Sequence, residues 1–348
     1  MINLISTFFY VVAIQLIFQG IANQSTFFNA TKLLQILLIV KKYQLFCPIL
    51  KSKPLLKSNI LFIINPISGG KQKQKIPALI DKHLDHSKFS ANFSFTAYSG
   101  HAAELAEEAA SKNFDIIVAV GGDGTINEIA SKVSSLEKVL GIIPFGSGNG
   151  LARALHIPMN VIKAIQVINT FNVQTIDAGK LNGKYFFNMA GIGFDARISA
   201  AFAGNKTRGL KGYVTLGLKE VKTYQPEHYE LEIDGIKYQR DAFILSIANS
   251  SQYGNNVHIS PKSLLSDGLL EVCIVKPVSL YKLPLLVYEM LSAKTHRSDL
   301  VEIISGKKIS IVRAKENSIH IDGEPFFMGK NIEIEIIPNA LNVITAIK

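Results

Sequence analysis

Three glycine-rich turns, each placed directly after a short apolar run, most constrain what this chain can fold into. The runs are ILFIIN from Ile60, FDIIVAV from Phe114 and VLGIIP from Val139, and they lead into NPISGGK, GGDGT and GSGNG. Short continuous apolar runs bounded by turn residues are typical of strands buried on both faces. His101–Lys112 and Thr125–Ser134 lie between them with helical spacing. Strands alternating with helices predict a parallel sheet covered on both sides.

The second half of the chain has a different pattern. After about Val173, short strand-like runs dominate, and Asp234-Gly235 between two of them predicts a hairpin. Helical stretches near Leu210–Lys222 and Leu280–Ser292 interrupt the runs. We therefore predict an α/β domain over 60–175, a β-rich antiparallel sheet or sandwich over 176–337, and a C-terminal segment, 338–348, that can return to the first domain.

Charge and cysteine content exclude some classes of protein. Of the net charge of +10, six units come from lysines within residues 1–59, which contain no acid. The rest of the chain is only weakly basic, so the sequence gives little support for nucleic acid as a partner. Cys47 and Cys273 are the only cysteines, which excludes a disulfide framework.

Residues 1–59 form an apolar and basic extension that we leave out of the fold prediction. Residues 2–21 are apolar for a length that can span a bilayer, and a second apolar run ends at Lys41-Lys42. Three interpretations remain open: an N-terminal membrane anchor, a peripheral extension, or a segment translated ahead of the true start. If the segment spans, the lysines that follow it place the body of the protein in the cytoplasm.

The glycine-rich turns indicate a phosphate site. Backbone N–H groups can close on phosphate oxygens where side chains are absent, and the carboxyl ends of parallel strands share one edge of a sheet. The turns lack both the dinucleotide fingerprint G-x-G-x-x-G and the G-x-x-x-x-G-K-[ST] loop. Asp123, inside the middle turn, would repel phosphates unless a cation lay between them. It therefore indicates Mg²⁺ or a role near the acceptor hydroxyl; the alternative is a simple N-cap of the following helix.

Six segments in order carry a resemblance to a known family: INPISGGK, GGDGTINE, GIIPFGSGNGLARAL, GIGFDA, LLSDGLLEV and IHIDGEP. Together they resemble the diacylglycerol kinase catalytic family, which includes bacterial soluble lipid kinases, sphingosine kinases and ceramide kinases. The resemblance runs from about Ile60 to the C terminus. It implies an NAD kinase-like α/β nucleotide domain, a C-terminal antiparallel β-sandwich domain and an active site in the cleft. Gly150 departs from the pattern, since many bacterial members have an aspartate there.

The resemblance also implies which residues bind ATP and the substrate. The ATP-binding positions are Asn65, Pro66, Ser68, Gly69, Gly70, Lys71, Thr96, Gly121, Gly122, Asp123, Gly124, Thr125, Ile126, Asn127, Glu128 and Ser147. Asp195 corresponds to an acid that meets the lipid head group. Arg208 and Lys211 lie where phosphate-neutralising cations are expected. A Mg²⁺ site is implied at Leu264, Asp267 and Leu269, although an Asp-Gly turn explains Asp267 equally well.

The catalytic residues implied by the resemblance are Asp322, Glu324 and Asp123. Phosphoryl transfer to a hydroxyl needs an acid to accept its proton, and the family places that base at Asp322 or Glu324. Strand alternation would put Asp322 on the side shared with His320, so Asp322 is the first choice.

The predicted function is transfer of the γ-phosphoryl group of ATP to a lipid hydroxyl, with diacylglycerol giving phosphatidic acid as the first choice. Alternatives are a sphingoid-base or ceramide-type lipid kinase, an NAD kinase, or a non-catalytic lipid-binding module. NAD kinase would account for GGDG but not for PISGGK, LLSDGL or DGEP. The expected cofactors are ATP and Mg²⁺. The expected partners are a membrane lipid and the membrane surface, at the inner, cytoplasmic face, without nucleic acid; a homodimer remains open.

Overall fold

The computed structural model describes residues 57–70, 73–134, 136, 138–203 and 216–347. Most of the predicted N-terminal extension, as well as Lys71, Arg208 and Lys211, lies outside these ranges. Within them, no helix combines the length and the apolarity needed to cross a membrane.

The predicted parallel sheet is confirmed. Its strands are β1 (Ser58–Ile64), β2 (Phe89–Phe95), β3 (Ile116–Gly121) and β4 (Val139–Pro144), in the order β2-β1-β3-β4 and all parallel. Every residue of β3 is buried, as the continuous apolar run predicts for a strand covered on both faces.

Helices cover this sheet. Those of the first half are α1 (Ile76–His83), α2 (His101–Ser111), α3 (Asp123–Val133), α4 (Gly150–Ala154) and α5 (Val161–Thr170). Helix α2 buries Ala102, Ala106 and Ala109, which recur at helical spacing and let the helix approach the strands closely. Helix α5 begins at the N-cap Asn160, whose side chain accepts a hydrogen bond from Lys163 N.

Within the described residues, the second half is built from strands, two longer helices and a helical stretch at 216–220, which lies within the predicted Leu210–Lys222 helix. The strands are β5 (Val173–Leu181), β6 (Lys184–Phe186), β7 (Met189–Gly193), β8 (Glu227–Ile233), β9 (Ile236–Ala242), β10 (Ile244–Ala248), β11 (Leu270–Val275), β12 (Val301–Gly306), β13 (Lys308–Arg313), β14 (Asn317–Ile321), β15 (Glu324–Met328) and β16 (Asn331–Ile344). The two longer helices are α6 (Phe194–Ala203) and α7 (Leu283–Leu291).

These strands form two layers. One sheet continues from β4 in the order β4-β16-β13-β8-β9, with β5 and β6 beside β16, and the second runs β12-β11-β10-β7-β14-β15. Alternate side chains of the second sheet, such as Ile192, Leu245 and Val272, face the first sheet and form a shared core. The other face of the second sheet, here called the outer face, carries Ile244 and Cys273. The predicted antiparallel sandwich is therefore confirmed.

Strand β16 belongs to both halves of the fold. Its first part pairs antiparallel with β13 and β5. After an irregularity between Ile337 and Leu341, Asn342 and Val343 pair in parallel with β4. Leu341, Val343 and Ile344 are buried in the same core as β1 and β3. The chain terminus thus contributes a strand next to the nucleotide-type sheet.

The hairpin turn predicted at Asp234-Gly235 is present in the structure. Asp234 and Gly235 both have positive φ, 49° and 85°, which is the geometry of a tight hairpin turn between β8 and β9. Phe187 and Asn188 separate β6 from β7. The amides at the break bind the carboxylate of Asp322 rather than a neighbouring strand.

Candidate active site

The three glycine-rich turns meet at the carboxyl edge of β1, β3 and β4. A Cβ added to Gly122 would lie 3.0 Å from the Cα of Gly146, so the second and third turns touch through their backbones. A Cβ on Gly69 would collide with the carbonyl oxygen of Phe145, which links the first turn to the third. Glycine is required at these positions because no side chain fits between the turns.

The first turn is held by Asn65 and by a lysine that the sequence did not single out. Asn65 Nδ2 donates to Thr125 Oγ1 at 2.9 Å, and Asn65 Oδ1 accepts from Ile67 N at 3.1 Å. Lys73 Nζ donates to the carbonyl oxygens of Asn65 and Ser68 and to the Ser68 hydroxyl. Lys73 is 2% exposed, and burial lowers its pKa to about 8. Nothing in the run KQKQK distinguishes this lysine from its neighbours.

Asp123 connects the second and third turns. Its Oδ2 accepts a hydrogen bond from Asn149 N at 2.8 Å, and its Oδ1 accepts one from Gly150 N at 2.7 Å. The N-cap of α3 is Gly122, so Asp123 is the first residue of the helix rather than its cap. Burial raises the pKa of Asp123 to about 6; the two backbone hydrogen bonds oppose this shift, and the charge of Asp322 adds to it.

Asn149 shapes the third turn, although only the glycines of this turn stand out in the sequence. Asn149 has φ 51°, a left-handed conformation that asparagine tolerates well. Its side chain accepts from Gly146 N at 2.7 Å and donates to Gly146 O at 2.8 Å. Arg153 Nε donates to Gly148 O at 3.0 Å. Ser147, between Gly146 and Gly148, is exposed. The Asn-Gly pair is the pattern that could have indicated this conformation.

Asp322 is buried and fully engaged with the surrounding backbone. Strand β14 ends at Ile321, and Asp322 and Gly323 form a turn with φ 48° and 88°. Strand alternation therefore does not set the direction of the Asp322 side chain, contrary to the reasoning that made it the first choice. Burial raises its pKa, while hydrogen bonds lower it. Its carboxylate accepts from Phe187 N at 3.0 Å, Asn188 N at 2.9 Å, Met189 N at 2.9 Å and Asn127 Nδ2 at 2.8 Å.

Glu324 has a different environment two residues later. It is the first residue of β15 and is exposed. Its Oε1 would lie 2.6 Å from a Cβ added to Gly124, so its carboxylate stands against the start of α3. Glycine at 124 is what allows this approach. The hairpin β14–β15 thus brings one exposed acid to the turn that contains Asp123.

The remaining ATP-binding candidates have mostly structural contacts. Asn127 Nδ2 also donates to Tyr185 O at 3.0 Å, which ties α3 to the β-rich half. Glu128 Oε1 accepts from Gly100 N at 3.0 Å and so holds the start of α2. Thr96 is buried just after β2, and Ile126 is part of the core. These side chains position the turns.

Asp195 lies in a buried polar cluster on the outer face of the second sheet. Its Oδ2 accepts from Ser246 Oγ at 2.9 Å and Tyr253 OH at 3.0 Å, and lies 3.2 Å from His320 Nε2. A Cβ on Gly191 would collide with both Asp195 Oδ2 and His320 Nε2. Burial raises the pKa of Tyr253 well above its usual range. The predicted head-group acid is thus already partnered within the protein.

The LLSDGL segment forms a turn. Asp267 is exposed and its Oδ1 accepts from Leu269 N at 3.1 Å, while Leu264 is 62% exposed. Gly268 N donates to Oδ2 of the buried Asp177 at 2.8 Å. In the part of the chain that the structure describes, no group of three or more His, Cys, Asp or Glu side chains is arranged to hold a metal ion. The Mg²⁺ site at Asp267 therefore stays a prediction.

A parallel sheet with three glycine-rich turns at its carboxyl edge, met by an acidic hairpin from a β-sandwich, is an arrangement suited to phosphoryl transfer. Two family models match this chain in the same arrangement. The model described as "Diacylglycerol kinase catalytic domain" matches residues 59–181. The model described as "YegS C-terminal NAD kinase beta sandwich-like domain" matches residues 188–345.

Individual relatives agree with the family models. "Probable lipid kinase YegS-like" of Yersinia enterocolitica is 31% identical over 288 residues, which cover 81% of this chain and 95% of the relative. "Diacylglycerol kinase" of Bacillus subtilis is 28% identical over 267 residues, covering 75% and 88%. The crystal structure of a diacylglycerol kinase from Bacillus anthracis superposes with a TM-score of 0.63 at 22% identity, covering 83% of this chain and 97% of that one, and it supports the fold.

The chain therefore belongs to the diacylglycerol kinase catalytic-domain family, and it is a lipid kinase. The resemblance seen in the six ordered segments is confirmed, as is the two-domain fold that it implied.

Proposed function

We propose that this kinase transfers the γ-phosphoryl group of ATP to the hydroxyl of diacylglycerol, with Mg²⁺ bound alongside the nucleotide. The observation that carries the mechanism is the exposed Glu324 carboxylate standing against Gly124, where the glycine-rich turns meet. The choice of lipid rests on the name of the Bacillus subtilis relative, "Diacylglycerol kinase". The enzyme would work at the inner face of the cytoplasmic membrane, where its substrate lies.

The turns suit the phosphates of ATP. The backbones of Gly122 and Gly146 are in contact, so a ligand at this edge meets N–H groups rather than side chains. Helix α3 begins at the same place and points its N-terminal dipole at the ligand. Lys73 fixes the first turn by donating hydrogen bonds to the carbonyl oxygens of Asn65 and Ser68.

The acids around this edge suit a bound cation. Asp322 is buried and Asp123 is partly buried, and the charge of Asp322 raises the pKa of Asp123. ATP phosphates would add further negative charge. Asp123 is the residue that would hold Mg²⁺ arriving with the nucleotide, and the cation would supply the compensating charge. Each oxygen of Asp123 accepts one backbone N–H, which leaves a lone pair for a cation or its water.

Glu324 is the proposed general base. Asp322 accepts four hydrogen bonds, three from backbone amides, and protonation would disrupt them. Glu324 is exposed and can reach an incoming hydroxyl. In this mechanism Glu324 takes the proton of the lipid hydroxyl while the hydroxyl oxygen attacks the γ-phosphorus in line. The bond between the γ-phosphorus and the bridging oxygen breaks, and ADP leaves. Asp322 instead holds residues 187–189 against α3.

A substrate panel tests the reaction. The full-length protein is incubated with radiolabelled ATP and Mg²⁺ against diacylglycerol, ceramide and a sphingoid base in mixed micelles, and against NAD. We expect the label in phosphatidic acid. Label in a sphingoid base or ceramide would move the proposal to that lipid, label in NAD alone would refute a lipid acceptor, and no transfer at all would favour the binding module.

A matched pair of variants tests the base. Glu324→Gln should lower kcat by at least ~10², the usual scale for lost general acid–base help, with little change in ATP affinity. Glu335→Gln, an exposed glutamate on β16, is the control and should keep full activity. Normal turnover in the Glu324→Gln enzyme would rule out this role for Glu324.

A further inference from the structure

Helix α7 and the short 3₁₀ turn before it, Leu280–Lys282, expose an unusual amount of apolar surface. Of the helix itself, only Leu286 and Met290 are buried. Six large side chains, here called the α7 patch, are each at least half exposed: Leu280 (58%), Tyr281 (80%), Leu285 (50%), Val287 (51%), Tyr288 (57%) and Leu291 (54%). Clustered exposed apolar side chains of this kind mark interaction surfaces rather than ordinary solvent-facing helix.

Exposed cations lie in the same segment of the chain as the α7 patch. The exposed basic residues of segment 276–299 are Lys276, Lys282, Lys294 and Arg297. The acids in the same segment are Glu289, which is partly buried, and Asp299. Two tyrosines stand at the patch, and the Lys294 ammonium lies 5.5 Å from the ring centre of Tyr288. Apolar and aromatic side chains accompanied by lysines are typical of surfaces that bind anionic bilayers.

The charge pattern favours a bilayer over a second copy of the chain. A two-fold dimer through the α7 patch would place the same cations of both copies near each other, with few acids to pair them. Anionic lipid headgroups complement the same cations, and the acyl boundary accepts the apolar side chains. The cations near the α7 patch thus favour an anionic bilayer over a second copy of the chain.

The α7 patch lies on the same side of the second sheet as the Asp195 cluster. Leu286 and Met290 pack on the outer face with Ile244 and Cys273. Asp195 accepts a hydrogen bond from Ser246, which lies on β10 between outer-face residues Ile244 and Ala248. A bilayer bound at the α7 patch would therefore face the side of the sheet that carries Asp195.

One loop connects α7 to the nucleotide turns. His258 N donates to Met290 O at 2.9 Å near the end of the helix. In the same loop, a Cβ on Gly254 would lie 2.8 Å from Gly148 O of the third turn. The α7 patch and the phosphate site are thus separated by a single segment, residues 254–258.

We propose that the α7 patch is the surface by which this kinase docks on an anionic bilayer. Tyr281, Leu285, Tyr288 and Leu291 enter the boundary between headgroups and acyl chains, and the lysines of segment 276–299 bind the headgroups. The proposal deepens the proposed function, because the lipid hydroxyl would be taken from the bilayer so bound. Binding to vesicles, rather than turnover, is the measurement that decides it.

A local probe tests the insertion directly in the full chain. Leu285→Cys is labelled with an environment-sensitive fluorophore in a Cys47→Ser background, since the other cysteine, Cys273, is buried. Vesicles of phosphatidylcholine with phosphatidylglycerol should shift the emission to the blue, and pure phosphatidylcholine should shift it far less. The same label at Ile236→Cys, an exposed apolar position on β9, should not respond. An unchanged spectrum at position 285 overturns the proposal, however the chain binds elsewhere.

Vesicle flotation gives the second test. Leu285→Glu/Tyr288→Glu should weaken binding to the anionic vesicles by at least ~10-fold, because two apolar contacts become repulsive charges. Ile236→Glu should bind as the wild type does. Turnover of a dispersed short-chain diacylglycerol should be equal in all three proteins. Unchanged flotation of the double variant would refute docking, and so would a wild-type dimer that the double substitution dissociates without loss of flotation. If the double variant loses flotation but the wild type phosphorylates no lipid, docking is kept and the proposed reaction is rejected.

Discussion

Two Asp-Gly turns in this protein have the same backbone but different surroundings, and they predict very different costs for the same substitution. Asp322-Gly323 joins β14 to β15, and Asp234-Gly235 joins β8 to β9; φ is 48° and 88° in the first and 49° and 85° in the second. Asparagine tolerates this left-handed conformation, so Asp→Asn adds no backbone strain at either turn. The difference between the two variants therefore isolates what each carboxylate binds.

The structure gives the magnitude. At Asp322, Oδ1 accepts from Asn188 N and Met189 N, and Oδ2 accepts from Phe187 N and Asn127 Nδ2. An asparagine keeps one oxygen, and its NH₂ group faces two donors. Each unsatisfied buried donor costs ~1–3 kcal/mol, and relief of the buried charge returns part of this, so we expect the unfolding free energy to fall by ~2–4 kcal/mol.

Asp234 provides the matched comparison. Its carboxylate also accepts backbone hydrogen bonds, from Lys307 N and Lys308 N, but these bonds are exposed and water can replace them. Asp234→Asn should therefore cost less than ~1 kcal/mol. Urea denaturation with linear extrapolation measures both variants, and hydrogen exchange should show faster opening of the 187–189 amides only in Asp322→Asn. Equal losses of stability would refute the claim that Asp322 is a buried structural acceptor.

Three further predictions concern the site. Because the folded-state pKa of Asp123, about 6, exceeds the ordinary 3.8, its stabilising contribution is present below about pH 4 and lost as pH rises through 6. Between pH 4 and 7, the unfolding free energy of the wild type should therefore fall relative to that of Asp123→Asn by no more than ~3 kcal/mol. Denaturation curves across this range measure the difference, and an equal pH dependence of the two proteins would contradict the prediction. Lys73→Met should weaken ATP binding in calorimetry by ~10-fold or more, since three loop hydrogen bonds are lost, whereas the exposed Lys75→Met should not. If Asp267 holds Mg²⁺, added Mg²⁺ should raise the melting temperature of the wild type and of Asp299→Ala but not of Asp267→Ala; equal responses would leave a plain turn.

The sequence predicts the parallel sheet well because each of its strands is decided locally. Strands β1, β3 and β4 are continuous apolar runs ended by glycine-rich turns, and the sheet places those turns together. The antiparallel half is predicted as a class but not in pairing. Its strands are short, and which ones neighbour each other depends on contacts far apart in the chain, as with β7 between β10 and β14.

The different roles of Asp322 and Glu324 could be distinguished only in the folded structure. Sequence reasoning treats both as acids on one strand, whereas the turn at Asp322 ends the alternation and directs its carboxylate to the amides at 187–189. Lys73 escaped notice for a related reason, since burial of a lysine beneath a turn depends on the three-dimensional course of that turn. Periodicity reports the secondary structure of a residue but not its partners.

The shared strand β16 has a consequence for how the protein is made on the ribosome. Strand β4 finds its second neighbour only in Asn342 and Val343, close to the end of the chain. During translation, the parallel-sheet half is complete in sequence long before that neighbour emerges, and the edge of β4 stays open to solvent or to chaperones until then. A premature stop codon that removes only the last residues of β16 would leave that edge permanently unpaired, and the shortened polypeptide would be exposed to aggregation and proteolysis although every glycine-rich turn had been synthesised.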